Sequence, residues 1–402
     1  MSTLLRHAHL PDGSVLDVRL DGPTIAAVGS ALPSIAGEEV HDLDGWLLLP
    51  APAEPHAHLD KALTADLIAN PTGDLLGAVT GWLAACGDFT VEDIAGRARI
   101  ALLRLLASGC TAVRSHVNVG SATGLCAVEA MLQVRAEVAH LMELQLVALI
   151  SSPTDPAILR EALDMGVDVV GGCPHLDADP LGCIDTTVAF AAERGLHLDL
   201  HTDETLDVGT LFVRDIARAV SGAGLAGVTA SHCVSLGMQD PATQAKVADE
   251  LAEAGVAVVT LPQTNLFLQG RGTTTATPRG LTAIRPLLDA GVTVAGGADN
   301  LQDPFITVGR ADPLETAALL VMAGHLAPVE AYALVTDGAR AAMGLAPVRI
   351  EPGAPAELLA VRAPSVRVAV ADAPAARLVF AKGRLVARTT VEQTVFLADP
   401  AA

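Results

Sequence analysis

Two histidines two residues apart, His56 and His58 in the run EPHAHLDK (54–61), are the sharpest chemical signal in the chain. Side chains alternate along a strand, so residues at i and i+2 share a face. Two imidazoles on one face can chelate a single cation at about 2.0–2.1 Å. Taken alone, the pair reads equally well as two exposed loop histidines. Two further residues shift that balance: His201 near the end of HLDLHT (197–202) and Asp299 at the end of VTVAGGAD (292–299). Three imidazoles and one carboxylate suit one borderline divalent ion, Zn or Fe(II). A catalytic ion keeps a position open for water, lowers the pKa of that water toward neutrality and supplies hydroxide as nucleophile.

Two more groups could handle protons there. Glu204 follows His201 by three residues, near enough to reach a substrate without ligating the ion, and a carboxyl group there can shuttle a proton to a ring nitrogen. Its structural alternative is a helix N-terminal glutamate. His232, at the end of GVTASH (227–232), could polarise the water or simply be a satisfied strand-end histidine.

The elements that must carry these residues can be read from pattern. Eight β-rich runs occur at 46–52, 111–117, 144–150, 167–172, 197–202, 227–232, 256–261 and 292–299, with helical stretches between them. Parallel strands need long crossovers, and eight is the number that closes a (β/α)8 barrel. In such a barrel the active site lies at the C-terminal strand ends, where the polar residues above gather. The domain expectation is a metal-dependent TIM-type barrel over 51–345. Residues 1–50 and 346–402 read as short strands and turns, including the runs AELLAVRA, VRVAVAD and ARLVFAKGRLVAR. They predict one small β-sandwich domain built from both chain ends.

Composition bounds the rest. With 402 residues and 51 % hydrophobic content there is material for a large core. The net charge of −21 (46 acidic against 25 basic residues) gives no electrostatic footprint for nucleic acid. Six cysteines without a CxxC pair, and an N-terminus without a long apolar run, point to a reduced, cytoplasmic protein with no membrane partner. GAGLAG (222–227) matches a dinucleotide fingerprint but precedes a strand instead of following one, and no HExxH occurs.

As a set, EPHAHLDKAL (54–63), GCTAVRSHVNVG (109–120), HTDET (201–205), ASHC (230–233), NLFLQGRG (265–272) and GADNLQDPF (297–305) resemble the amidohydrolase superfamily, and within it the cytosine deaminase-like group. The resemblance implies His56, His58, His201 and Asp299 as metal ligands. It implies Glu204 as the acid/base that protonates the ring nitrogen, His232 as the group polarising the water, and Asp299 as proton acceptor as well as ligand. It is compatible with a homo-oligomer. Binuclear members usually carry a lysine after the fourth strand; VVGGCPHLD (169–177) has none, which favours a single ion. Two departures stand out. Cytosine deaminases typically carry glutamine after the third strand where this chain has Ser151, and tryptophan where it has Phe305.

The expectation is therefore an enzyme that deaminates a small aminated nitrogen heterocycle, cytosine-like but not cytosine itself, releasing ammonia. His116, Ser151, His175, Asn265 and Phe305 would meet the substrate. The alternatives are hydrolysis of another C–N bond, such as a cyclic amide or a guanidine-like ring, and a metal-stabilised binding protein without catalysis. The loop 269–280, with Arg271 and Arg279, reads either as solvated or as a lid over the rim.

Overall fold

The computed structural model describes residues 2–120, 124–150 and 155–396. Its barrel strands are β6 (Ala53–Ala57), β7 (Ala112–Val119), β8 (Glu143–Ile150), β9 (Val169–Gly172), β10 (His197–Thr202), β11 (Gly227–His232), β12 (Val256–Thr260) and β13 (Val294–Gly296). They pair in sequence order, each parallel to the next. A single parallel bridge between Ala57 and Asp299, with Asp299 N–H donating to the His56 carbonyl at 3.0 Å, joins the last strand end to the first. The closure thus falls on two candidate ligand positions.

The strands are buried along nearly their whole length because helices cover the outside, which is why they read as continuous apolar runs and not as alternating ones. Helix–strand boundaries follow local chemistry. Asp240 caps the helix Pro241–Ala254 by accepting from Ala242 and Thr243 N–H groups, and Gly255 ends it at φ 67°, where a side chain would be strained.

The other sheet gathers both chain ends. β1 (Ser2–His9), β2 (Val15–Asp21), β3 (Thr24–Gly29), β4 (Glu39–Asp42) and β5 (Leu47–Pro50) combine with β14 (Leu358–Val361), β15 (Arg377–Ala381) and β16 (Arg384–Thr389). The order is β16-β15-β14-β5-β1-β2-β3, with β4 pairing β1. This mixed sheet has its own core, including Leu5, Val18, Leu20, Leu48, Leu358 and Phe380. The β15–β16 hairpin turns at Lys382-Gly383, where an added Cβ would collide with the Gly22 carbonyl oxygen.

Two expectations are corrected. The run 46–52 is not the first barrel strand: Leu47–Pro50 pairs antiparallel with β14, and β6 starts the barrel. The run VRVAVAD is not a strand but the helix Val366–Asp372. Ser365 caps it, and Val366, Ala369 and Val370 are buried at i, i+3 and i+4, a helical spacing that outweighs the apparent alternation. All six cysteines carry free thiols. No helix among the described residues is long and apolar enough to cross a membrane.

Candidate active site

At the C-terminal mouth of the barrel, β6 presents His56, the segment just past its end presents His58, β10 presents His201, and the turn after β13 presents Asp299. His201 Nε2 lies 3.2 Å from His56 Nε2 and 3.0 Å from His58 Nε2. Asp299 Oδ1 lies 3.6 Å from His56 Nε2 and 3.2 Å from His58 Nε2. A tetrahedral ion about 2.1 Å from each ligand needs ligand atoms about 3.4 Å apart, so these separations match the edges of such a site. Only one proton can sit between two neutral imidazole nitrogens, so hydrogen bonding alone does not satisfy three converging Nε2 atoms and a carboxylate.

The electrostatics agree with that fit. All four residues are buried. Burial above all, then neighbouring imidazoles and Lys61, holds His56 and His58 well below the usual histidine range, and burial does the same to His201. The imidazoles are therefore neutral and have lone pairs to give. Burial also pushes Asp299 well above the usual carboxylate range, with Glu204 and Asp303 adding repulsion. A cation among these groups would supply the opposite charge that stabilises the carboxylate.

The candidate ligands are held from behind. His56 Nδ1 sits 2.9 Å from Ser231 Oγ, and Ser231 Oγ donates to Asp199 Oδ1 at 3.1 Å. Serine therefore accepts the His56 Nδ1 proton, which leaves the Nε2 lone pair facing the site. Arg114 Nη1 closes the chain on Asp199 Oδ2 at 2.8 Å. Glu54, two residues before His56, accepts from the His56 N–H at 3.1 Å and from the Ala298 N–H through both oxygens, tying β6 to the Asp299 turn. The His58 Nδ1 lies 3.0 Å from Lys61 Nζ, and Lys61 donates to Asp60 Oδ1. Ser231→Ala should weaken metal affinity by roughly 10–100-fold, the usual cost of losing an outer-shell partner, measurable by chelator competition. Unchanged affinity would remove Ser231 from this role.

Glu204 and His232 face the same centre. His232 Nδ1 is 3.5 Å from Glu204 Oε1, and His232 Nε2 is 3.9 Å from Asp299 Oδ2. The Asn265 side-chain amide donates to Glu204 Oε1 at 3.1 Å and to His232 Nδ1 at 3.0 Å. With Nδ1 accepting, the neutral His232 carries its proton on Nε2, toward Asp299. Burial lowers the His232 pKa to about 3 and raises that of Glu204 to about 8. At neutral pH His232 is uncharged and Glu204 is a protonated acid. His232 (φ 70°) and Asp299 (φ 68°) both adopt left-handed backbone. That conformation costs non-glycine residues of order 1–3 kcal/mol each and persists where surrounding structure imposes it.

A cavity of about 260 Å3 opens over these groups, lined by His58, His201, Glu204, His232, Asp299 and Phe305 together with apolar side chains. The residues expected against the substrate divide. Phe305 is on the wall. His116 is fully buried behind His56, with ring centroids 4.0 Å apart, and does not line the cavity. Its ligating atom groups with those of His56 and His201 within 4.8 Å, and those of His56, His58 and Asp299 form a second group under the same limit. Asn265 does not line the cavity either; it is spent on Glu204 and His232. His175 borders an adjoining vestibule, its Nδ1 3.3 Å from the His201 carbonyl. Ser151 lies outside the described residues. In the 269–280 loop, Arg271 stacks on Phe267 and Arg279 bonds the Ala323 carbonyl and His325; neither lines the cavity.

Lys61, Trp82, Asn118, Thr264 and Asn300 line the cavity without having been singled out as substrate contacts. Asp199 and Glu54 were also missed, although a signal existed. Each stands two residues before a site histidine, on the same strand face.

The family model described as "Amidohydrolase family" matches residues 65–387. This chain belongs to the amidohydrolase family. It is 32 % identical over 380 residues to a pterin deaminase of Rhizobium rhizogenes, covering 91 % of this chain and 85 % of that one. The structure of 5-methylcytosine deaminase from Klebsiella pneumoniae with 5-fluorocytosine superposes with a TM-score of 0.89 at 28 % identity, covering 98 % of this chain and 99 % of that one. N-isopropylammelide isopropylaminohydrolase from Burkholderia multivorans gives 0.85 at 30 % identity, covering 96 % and 98 %. With its histidine–aspartate cluster, this amidohydrolase is a metal-dependent hydrolase of C–N bonds other than peptide bonds.

Proposed function

We propose that this amidohydrolase hydrolytically deaminates a small aminated nitrogen heterocycle, cytosine-like but not cytosine, using one Zn or Fe(II) ion held by His56, His58, His201 and Asp299. The observation that carries this reading is a buried carboxylic acid, Glu204, whose pKa is raised to about 8, on the wall of the cavity that His58, His201 and Asp299 also line. A divalent cation bound there acidifies water toward neutrality and so supplies the nucleophile.

The chain's own residues manage the protons. Glu204 Oε donates to the ring nitrogen beside the carbon under attack, so that negative charge does not build up on the ring. Asp299 accepts a proton from the water, and the neutral His232, its Nε2 3.9 Å from Asp299 Oδ2, polarises that water. As the tetrahedral carbon collapses, the amino group takes that proton and departs as ammonia, while the hydroxyl proton left on the carbon returns to Glu204 and the carbonyl forms. Asn265 holds Glu204 and His232 in register.

The relatives support the class: the pterin and 5-methylcytosine enzymes are deaminases by name. A second reading, hydrolysis of a different C–N bond on the same centre, is favoured by the likeness to N-isopropylammelide isopropylaminohydrolase. The test is ammonia release from a panel of cytosine, 5-methylcytosine, pterin and related aminoheterocycles by metal-replete protein. Ammonia in step with loss of the aminated ring is expected. Turnover of cyclic amides or N-alkylated rings without any ammonia would select the second reading.

A further inference from the structure

His58, His201, Asp299 and Glu204 line the cavity with a few other polar side chains, and beside them runs a wall of a different chemistry. The helix α1 (Leu75–Ala85) turns Leu75, Val79, Trp82 and Leu83 toward the cavity, at i, i+4, i+7 and i+8, one continuous helix face. Leu149 and Ile150 at the end of β8, Leu176 and Phe305 complete this apolar surface. Aromatic residues are scarce in this chain: two Trp, one Tyr and seven Phe in 402 residues. Three of them, Trp82, Phe89 and Phe305, nonetheless gather here with Ile68 and Cys86, and the Trp82 and Phe89 rings stack at 5.9 Å. An unsubstituted polar base such as cytosine has hydrogen-bonding groups around its edge and gains little from such a wall.

The cavity also continues outward. An adjoining vestibule of about 490 Å3 shares Leu75, Val79, Leu176 and Glu204 with it. Besides these shared side chains, polar residues line the vestibule, among them Asp74, Thr205 and Gln269.

We propose that the substrate carries an alkyl or aryl substituent on a ring atom other than the leaving amino nitrogen, and that Leu75, Val79, Trp82, Leu176 and Phe305 form its subsite. The inference rests on the deaminase reading above and names the substrate class within it. Burial of each methylene is worth roughly a fourfold gain in kcat/KM, from about 0.8 kcal/mol per CH2. A three-carbon ring substituent thus gains on the order of 50-fold over the bare aminoheterocycle.

The experiment uses the metal-replete full chain and a matched series of aminopyrimidines and aminotriazines. The members are unsubstituted, ring-alkylated with one to three carbons, ring-arylated, or alkylated on the leaving nitrogen. Ammonia and free alkylamine are both measured, together with the inhibition constants of the corresponding ring-alkylated products. The expected result is ammonia release whose kcat/KM climbs with each ring-borne carbon, with product inhibition tightening in parallel. In Val79→Asn and Leu75→Asn the slope of that series should flatten by at least tenfold across three carbons. Equal kcat/KM across the series, with ammonia released throughout, overturns the subsite while the deaminase reading stands. Turnover confined to members alkylated on the leaving nitrogen, seen as free alkylamine, overturns the ring placement. No ammonia or amine from any member overturns the deaminase reading and this inference with it. Because the wild-type series and the inhibition constants need no variant, a variant that fails to fold leaves the test intact.

Discussion

Glu204→Gln lowers kcat by roughly 10²–10⁴-fold, the span that a positioned acid/base contributes, while one metal ion per chain is retained. Glutamine keeps the size of the side chain and can still meet Asn265, but it has no proton to give. The pH dependence carries the same signature. Burial raises the folded Glu204 pKa to about 8, so the acid is protonated below that pH and ionised above it. The kcat/KM of the wild type should therefore fall about tenfold per pH unit above about pH 8, and the glutamine variant's residual rate should lack this limb. A variant with wild-type turnover, or one that keeps the alkaline limb, would remove Glu204 from the proton path.

The second large effect is at the ligands. His201 Nε2 makes two of the quartet's three closest contacts, so His201→Ala opens the site on the side facing both His56 and His58. The variant should lose its metal to a mild chelator and lose at least about 10³-fold in kcat, since the cation's contribution to the barrier is several kcal/mol. It should also lose the rise in Tm that added metal gives the wild type, because a ligand that binds only the folded state stabilises it by mass action. Full metal content in His201→Ala would shift attention to the His56–His58–Asp299 grouping, which lacks His201, or away from this cluster.

Much of this site is legible in the chain because strand ends have a simple grammar. HLDLHT and GVTASH coincide with β10 and β11, since both are short apolar runs bounded by turn residues. The period of two then places His56 beside His58. What strand periodicity does not carry is depth. His116 occupies a strand near its C-terminal end, as His201 does, yet its ring lies behind His56 and below the cavity floor. Asn265 looks like a rim residue, but it sits within the helix Pro262–Leu268 and spends its amide on two neighbours. The left-handed backbone at His232 and Asp299 is imposed by tertiary closure and has no local sequence sign.

Sheet membership is similarly hidden. Leu47, Leu48 and Leu49 are buried in one continuous run, which fits a barrel strand and the mixed sheet equally well; only the pairing with β14 decides it. The α1 wall escapes a search for chemistry-bearing residues for the opposite reason. Leu75 and Val79 carry no ionisable group, although they shape the space in which the chemistry would run.

The central claim is that one ion in the His56–His58–His201–Asp299 quartet drives C–N hydrolysis. The most direct measurement is a metal titration of chelator-stripped protein, following ammonia release from an active member of the heterocycle panel. Activity should rise linearly and saturate at one equivalent of Zn or Fe(II) per chain. Saturation at two equivalents, or full activity in the stripped protein, would contradict it.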